Sequence, residues 1–141
     1  MTTTEAGRPS RVREVLRYLL AALVAMVGIT HFASPEPFVK MMPSIFPAPL
    51  VWVYLSGAAE VGLGILLAWN ATRRLAAFGM IALFCAVFPA NINMAVNGIQ
   101  LDPLNPIPTW ALWARLPLQA LLIAWAWYVR GERTARRDPK P

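Results

Sequence analysis

The chain has 141 residues, of which 57% are apolar and only 14% are charged, and its formal net charge is +6. A soluble domain of this size carries charge on about a quarter of its residues, so this composition excludes an ordinary water-soluble globular protein. The apolar residues also occur in long runs, and a helix needs about 20 such residues to cross the hydrocarbon core of a bilayer.

Four apolar stretches are long enough to be membrane-spanning helices: about 15–32, 51–69, 75–96 and 111–129. We therefore predict an all-α protein, a four-helix transmembrane bundle in a single domain over residues 1–141, located in the cell membrane. A cleaved signal peptide is not favoured, because the first apolar stretch is too long and no small-residue cleavage site follows it.

The basic residues lie beside alternate ends of these stretches. The loops after the first and third stretches contain only Lys40. The other ends carry Arg8, Arg11, Arg13, Arg17, Arg73, Arg74, Arg130, Arg133, Arg136, Arg137 and Lys140. This asymmetry follows the positive-inside rule and predicts that both termini are cytoplasmic. Because the charges are divided among the ends of spans, we expect the lipid bilayer, and no nucleic acid, as the partner.

The first stretch ends in a polar residue, His31, and an unusual loop follows it. Residues 33–49 contain five prolines, which remove backbone donors and disfavour a regular hairpin. The residues between the prolines are too apolar for a solvated loop. This composition is typical either of a lid folded over the bundle, with one short helix, or of a segment anchored among lipid headgroups.

The second stretch carries a carboxylate, Glu60, at its middle. Ser56 lies one helical turn earlier on the same face. A charge at the centre of a bilayer costs about 2.5–3.5 kcal/mol, so we expect Glu60 to face the bundle interior and to have a partner there, for which Arg115 is the candidate. This stretch also has a small-residue face that allows a neighbouring helix to approach closely, made of Ser56, Gly57, Ala58, Ala59, Gly62 and Gly64. Within it Ala58 and Gly62 have the small-xxx-small spacing.

The third and fourth stretches bring amides and a guanidinium into the same half of the bundle. Pro89 should free a carbonyl in the third stretch, and Asn91 follows it. Arg115 and Gln119 are four residues apart and share a helical face. The lone cysteine, Cys85, is expected to be a small buried residue without a disulfide.

Polar groups from all four stretches are thus predicted to meet in the outer half of the bundle, while the inner half is expected to be apolar. The predicted ligand-binding residues are His31, Ser56, Glu60, Asn91, Arg115 and Gln119. A planar guanidinium beside amides suits carbonyl, carboxylate or headgroup oxygens, and a quinone would fit. No metal-ligand spacing occurs. The alternative is a Glu60–Arg115 ion pair that only determines helix packing.

Four short motifs resemble those of the DoxX-like family of small four-helix membrane proteins. They are Gly28–Phe32, Ser56–Gly64, Pro89–Asn91 and Arg115–Gln119, the last leading into Trp125, within a resemblance over about Leu16–Gly131. The resemblance implies a four-helix bundle. It also implies a superfamily that includes subunits linked to quinone or sulfur oxidation, membrane partners of redox enzymes, and more distant cargo receptors or chaperones. It carries over five of the same residues, namely His31, Glu60, Asn91, Arg115 and Gln119.

The function expected from these features is the binding of a quinone or a lipid-like amphiphile as an accessory to redox metabolism, with no catalytic residue. The alternative is a membrane scaffold or chaperone, and the sequence leaves homo-oligomerisation open.

Overall fold

A computed structural model describes residues 10–131 of the chain. Within these residues the protein is helical and contains no strand. The helices are α1 (Arg11–Ala33), α2 (Glu36–Met41), α3 (Pro49–Ala68), α4 (Arg73–Val96) and α5 (Thr109–Val129). The four apolar stretches coincide with α1, α3, α4 and α5, so the all-α class is confirmed. Arg8 and the basic residues after Gly131 lie outside the described residues.

Three helices of the described region, α1, α3 and α4, are long and apolar enough to cross a membrane. The fourth predicted span, α5, is helical over its full predicted length but is not among them. Its sequence includes Arg115, Gln119 and several tryptophans, and these polar and amphipathic side chains lower its mean hydropathy.

The four long helices pack in a ring, in the order α1, α3, α4, α5 and back to α1. Successive helices run in opposite directions, so the molecule has two distinct ends. We call the end that carries the short helix α2 the α2 end. The opposite end, with Arg13, Arg17, Arg73 and Arg130, we call the arginine end.

The most extensive helix contact, between α1 and α3, depends on glycine. A methyl group added to Gly57 would lie 2.6 Å from Cβ of His31, and one added to Gly64 would lie 2.7 Å from the carbonyl oxygen of Ala21. The close-packing face of α3 is therefore formed by Gly57 and Gly64. The predicted small-residue face is thus confirmed at Gly57 and Gly64. It is wrong at Ala58 and Gly62, because Ala58 is exposed and nothing lies within 4 Å of a methyl group on Gly62.

The buried apolar residues form two separate clusters. The larger lies towards the arginine end and comprises Leu20, Ala21, Val24, Leu67, Ala76, Ala77, Met80, Phe84, Ala126 and Val129. The smaller lies at the α2 end and comprises Met41, Met94, Ala95 and Leu112. The interior between the two clusters is not filled by apolar side chains.

The arginine end is not apolar inside, contrary to expectation. Arg17 is only 1% exposed and lies within α1, where its Nη1 donates to the carbonyl oxygens of Leu67 and Ala68, both at 3.0 Å. Its Nη2 lies 2.5 Å from the carboxylate of Glu14, which is also 3.6 Å from Arg73. The last carbonyls of a helix lack intrahelical donors, so Arg17 caps the C-terminus of α3.

Two loops close the α2 end. The side chain of Asp102 accepts hydrogen bonds from Asn105 Nδ2 and from the Leu104 backbone N–H, and these bonds hold its pKa below the ordinary value. The adjacent carbonyl of Leu101 accepts a hydrogen bond of 3.2 Å from Lys40 Nζ. This bond links α2 to the α4–α5 loop. The short helix therefore lies across the end of the ring.

Candidate functional site

A cavity of about 1000 Å³ lies among the helices and is bounded by both apolar clusters. Val24 and Phe84 of the larger cluster line one part of it, and Met41 of the smaller cluster lines another. Natural protein interiors contain few voids larger than a water molecule, whereas ligand pockets have volumes of about 300–1000 Å³. The cavity therefore has the size of a binding site.

The structure brings all six predicted site residues to the wall of this one cavity. They come from four helices and are His31, Ser56, Glu60, Asn91, Arg115 and Gln119. The remainder of the wall is mainly apolar, so these six residues, which we call the polar cluster, are the polar part of an apolar surface. This combination of an apolar wall with a few polar groups is typical of a small-molecule pocket.

Glu60 is the buried carboxylate of this cluster. It is 7% exposed, and no described residue donates a hydrogen bond to it. The nearest polar partner of its Oε2 atom is His31 Nδ1, at 3.5 Å. A buried carboxylate without a hydrogen bond is unfavourable, which makes Glu60 a candidate for contact with a bound molecule.

His31 is held in one orientation by two contacts. Its Nδ1 lies 2.9 Å from the carbonyl oxygen of Val27, and because that oxygen can only accept, Nδ1 carries the proton. Its ring stacks on Phe38 with centroids 3.8 Å apart. The second ring nitrogen, Nε2, then carries a lone pair in the neutral side chain.

Gln119 links α5 to α4 through two hydrogen bonds. Its Nε2 donates to the carbonyl oxygen of Phe84 over 2.8 Å, and its Oε1 accepts from Asn91 Nδ2 over 3.1 Å. Pro89 lies within this part of α4, where a proline removes a backbone donor. The glutamine therefore joins α5 to the turn of α4 that precedes Pro89, a role that periodicity alone does not reveal.

Arg115 does not pair with Glu60, so the predicted ion pair is wrong. No salt bridge joins the two side chains within residues 10–131, and Arg115 Nη1 instead lies 2.9 Å from Met94 Sδ. The reason is geometric: α3 and α5 are on opposite sides of the ring, with the cavity between them. Because a thioether is a weak acceptor, the guanidinium retains most of its hydrogen-bonding capacity.

The loop that precedes α3 covers the cavity, as a lid would. Phe38 and Met41 of α2 line it, as do Met42 and Phe46 of the following loop. Phe38 was not among the predicted site residues. In the sequence Phe38 is only an apolar residue within a proline-rich loop. That pattern is equally typical of a segment anchored among lipid headgroups.

The cavity is open towards the outer surface of the ring. Five large apolar side chains on its wall are between 44% and 65% exposed; they are Leu23, Trp52, Leu55, Leu118 and Leu121. Leu23 belongs to α1 and Leu118 and Leu121 belong to α5, and these two helices make the least extensive contact in the ring. An apolar chain could therefore pass between α1 and α5.

Other polar or reactive candidates lie apart from this cavity. Cys85 is exposed on α4, so the expectation that it is buried is wrong. Within residues 10–131 no group of three or more His, Cys, Asp or Glu side chains is placed to hold a metal ion.

Residues 20–130, most of the chain, match the sequence model of a family described as a domain of unknown function (DUF8561). No curated protein and no solved structure is detectably similar to the chain.

Proposed function

We propose that this chain, which belongs to the DUF8561 family, is a multi-pass membrane protein that binds an oxygen-bearing amphiphile in the cavity between its helices. In this proposal α1, α3, α4 and α5 form a four-helix transmembrane bundle of the DoxX-like type, with both termini cytoplasmic. The exposed apolar side chains on the outer faces of the helices, such as Met26 and Ile65, then contact lipid. The lipid bilayer is thus the first partner.

One observation carries the proposal: a cavity of about 1000 Å³ has a polar cluster on an otherwise apolar wall. An amphiphile matches this division, because its chain can occupy the apolar part while its headgroup meets Glu60 and Arg115. A quinone or a lipid-like molecule has this form. The association with redox metabolism follows from the DoxX-like resemblance and extends the proposal to an accessory of a membrane redox enzyme.

The scaffold alternative was based on an ion pair between Glu60 and Arg115. That pair does not form in the described region, and the two side chains lie on opposite sides of an open cavity. Two separated side chains on the wall of a cavity can both contact a ligand. A packing role would require them to contact each other, which they do not do.

Native mass spectrometry of the gently purified protein tests the proposal. We expect the wild type to retain a stoichiometric small molecule. Arg115→Met should lose it, with affinity reduced about 10- to 100-fold, because a hydrogen bond to a charged group contributes about 1.5–3 kcal/mol. Arg74→Met is the matched control, since Arg74 does not line the cavity. A wild type that carries no small molecule, or an Arg115→Met variant that retains it, would contradict the proposal.

A further inference from the structure

The hydrogen-bonding roles of the polar cluster restrict the headgroup of the bound molecule. Glu60 is more than nine-tenths buried, lines the cavity, and receives no hydrogen bond from residues 10–131. Its Oε2 is enclosed by protein beside His31 Nδ1, the nitrogen that carries a proton. The carboxylate is therefore a hydrogen-bond acceptor that no donor among the described residues satisfies. A donor can reach its second oxygen, Oε1, from the cavity.

Two further acceptors face the same space. The Ser56 hydroxyl donates to the carbonyl of Val53 over 2.9 Å, which leaves its oxygen lone pairs available. The Asn91 amide is oriented by its hydrogen bond to Gln119, and its Oδ1 accepts no hydrogen bond from the described residues. Both residues line the cavity.

The charged donor at the cavity wall is Arg115, and it lies across the cavity from Glu60. A headgroup that meets both must donate to the carboxylate and accept from the guanidinium. One carboxylate and one guanidinium also leave the polar cluster without a net charge when His31 is neutral, which favours an uncharged headgroup over an ammonium or a phosphate.

We infer that the headgroup of the ligand is a neutral hydroxyl group or diol, which donates a hydrogen bond to Glu60 while its oxygens accept from Arg115. This inference rests on the proposed function and specifies its substrate class. A quinone has only acceptor oxygens and leaves Glu60 without a donor, whereas the corresponding hydroquinone supplies two O–H groups. A monoacylglycerol supplies the same chemistry from an aliphatic source.

Two pairs of probes isolate the hydroxyl hydrogen. The first pair is decylhydroquinone and its dimethyl ether, with decylbenzoquinone as the carbonyl form, and the second is monodecanoylglycerol and its dimethyl ether. Calorimetric titration of the full-length protein in nanodiscs measures each affinity. We expect a hydroxyl form to bind about tenfold or more tightly than its ether, because the ether leaves the buried carboxylate unpaired. The hydroxyl form that binds more tightly, decylhydroquinone or monodecanoylglycerol, shows whether the headgroup is aromatic or aliphatic.

The Glu60→Gln variant tests whether Glu60 causes the preference for a hydroxyl form over its ether. An amide both donates and accepts, so the hydroxyl-to-ether ratio should fall towards one in this variant. Glu36→Gln is the control, because Glu36 is exposed on α2 and does not line the cavity. The wild-type comparison is informative by itself if Glu60→Gln does not fold.

The contrary outcomes separate the two proposals. Ethers or decylbenzoquinone that bind as tightly as the hydroxyl forms would overturn the hydroxyl headgroup and leave amphiphile binding intact. A ratio unchanged in folded Glu60→Gln would overturn the assignment to Glu60. Absence of binding by every probe would overturn both the headgroup inference and the proposed function.

Discussion

Two buried charged residues, Arg17 and Glu60, differ in how their hydrogen bonds are satisfied. Arg17 donates to two carbonyls at the end of α3 and contacts Glu14. Glu60 accepts no hydrogen bond within residues 10–131. A satisfied buried charge is a structural element, whereas an unsatisfied one that borders a cavity is a candidate binding group. Arg17 therefore stabilises the arginine end, and Glu60 is the candidate for ligand contact nearer the α2 end.

Arg17→Met tests the structural role. The substitution preserves most of the side-chain length but leaves two carbonyls at the end of α3 without their side-chain donor and Glu14 without its closest cation. We expect unfolding in mixed detergent micelles to show a loss of about 3 kcal/mol, within the range for breaking a buried pair. Ligand affinity of the folded fraction should not change, since Arg17 does not line the cavity.

Arg11→Met is the matched control for that measurement, because Arg11 is exposed at the start of the same helix. It should unfold within about 0.5 kcal/mol of the wild type. Equal stability of the two variants would contradict the capping role of Arg17.

At the scale of elements, the α1–α3 contact positions His31 and Glu60 of the polar cluster. Gly57 lies against Cβ of His31, and Gly28 lies against Cβ of Glu60. The absence of side chains on these glycines allows the two helices to approach closely enough for Oε2 and Nδ1 to lie 3.5 Å apart. The same contact therefore contributes to the fold and to the geometry of the site.

Gly57→Ala should separate these helices. The added methyl group would lie 2.6 Å from Cβ of His31 and 2.9 Å from the carbonyl oxygen of Gly28, so one helix must move. We expect a destabilisation of about 1–3 kcal/mol, typical of overpacking, together with weaker ligand binding. Unfolding in mixed micelles and calorimetric titration measure the two effects.

Gly62→Ala is the control for this prediction. Nothing lies within 4 Å of the added methyl group, and alanine is the better helix former by up to about 1 kcal/mol. This variant should be as stable as the wild type or more so. If Gly57→Ala is also as stable as the wild type, the prediction that the α1–α3 contact requires a glycine at this position is wrong.

At the scale of the whole molecule, the division of the core into two clusters determines where a ligand can bind. The larger cluster joins the helices towards the arginine end, and the smaller one joins α2, α4 and α5 at the other end. The space between them is the cavity, closed at the α2 end by α2 and its loop. Binding of an amphiphile would fill this space and should raise the stability of the bundle by mass action.

The proposed membrane orientation has its own test. In a Cys85→Ser background, Ser10→Cys and Leu104→Cys place single thiols at opposite ends of the molecule, both at exposed positions. Because the positive-inside rule places the arginine end in the cytoplasm, a membrane-impermeant maleimide should label Leu104→Cys in intact cells. It should label Ser10→Cys only after permeabilisation. Labelling of Ser10→Cys in intact cells would contradict the orientation.

The amino-acid sequence by itself determined the four long helices of this protein and the six polar residues of its candidate site. Long apolar runs can satisfy their backbone groups within one helix, so the helices α1, α3, α4 and α5 follow from local composition. Polar residues are rare in such runs, which is why Glu60, Arg115 and Gln119 were identifiable before the fold was known.

Only the tertiary structure decided which of these residues meet. The pairing of Glu60 depends on the order of helices around the ring, which places α5 opposite α3 and leaves His31 of α1 as the nearest polar group. The capping role of Arg17 likewise requires the end of α3 to lie beside the start of α1. Hydropathy and periodicity describe one helix at a time, whereas contacts between helices arise from how their side chains pack together.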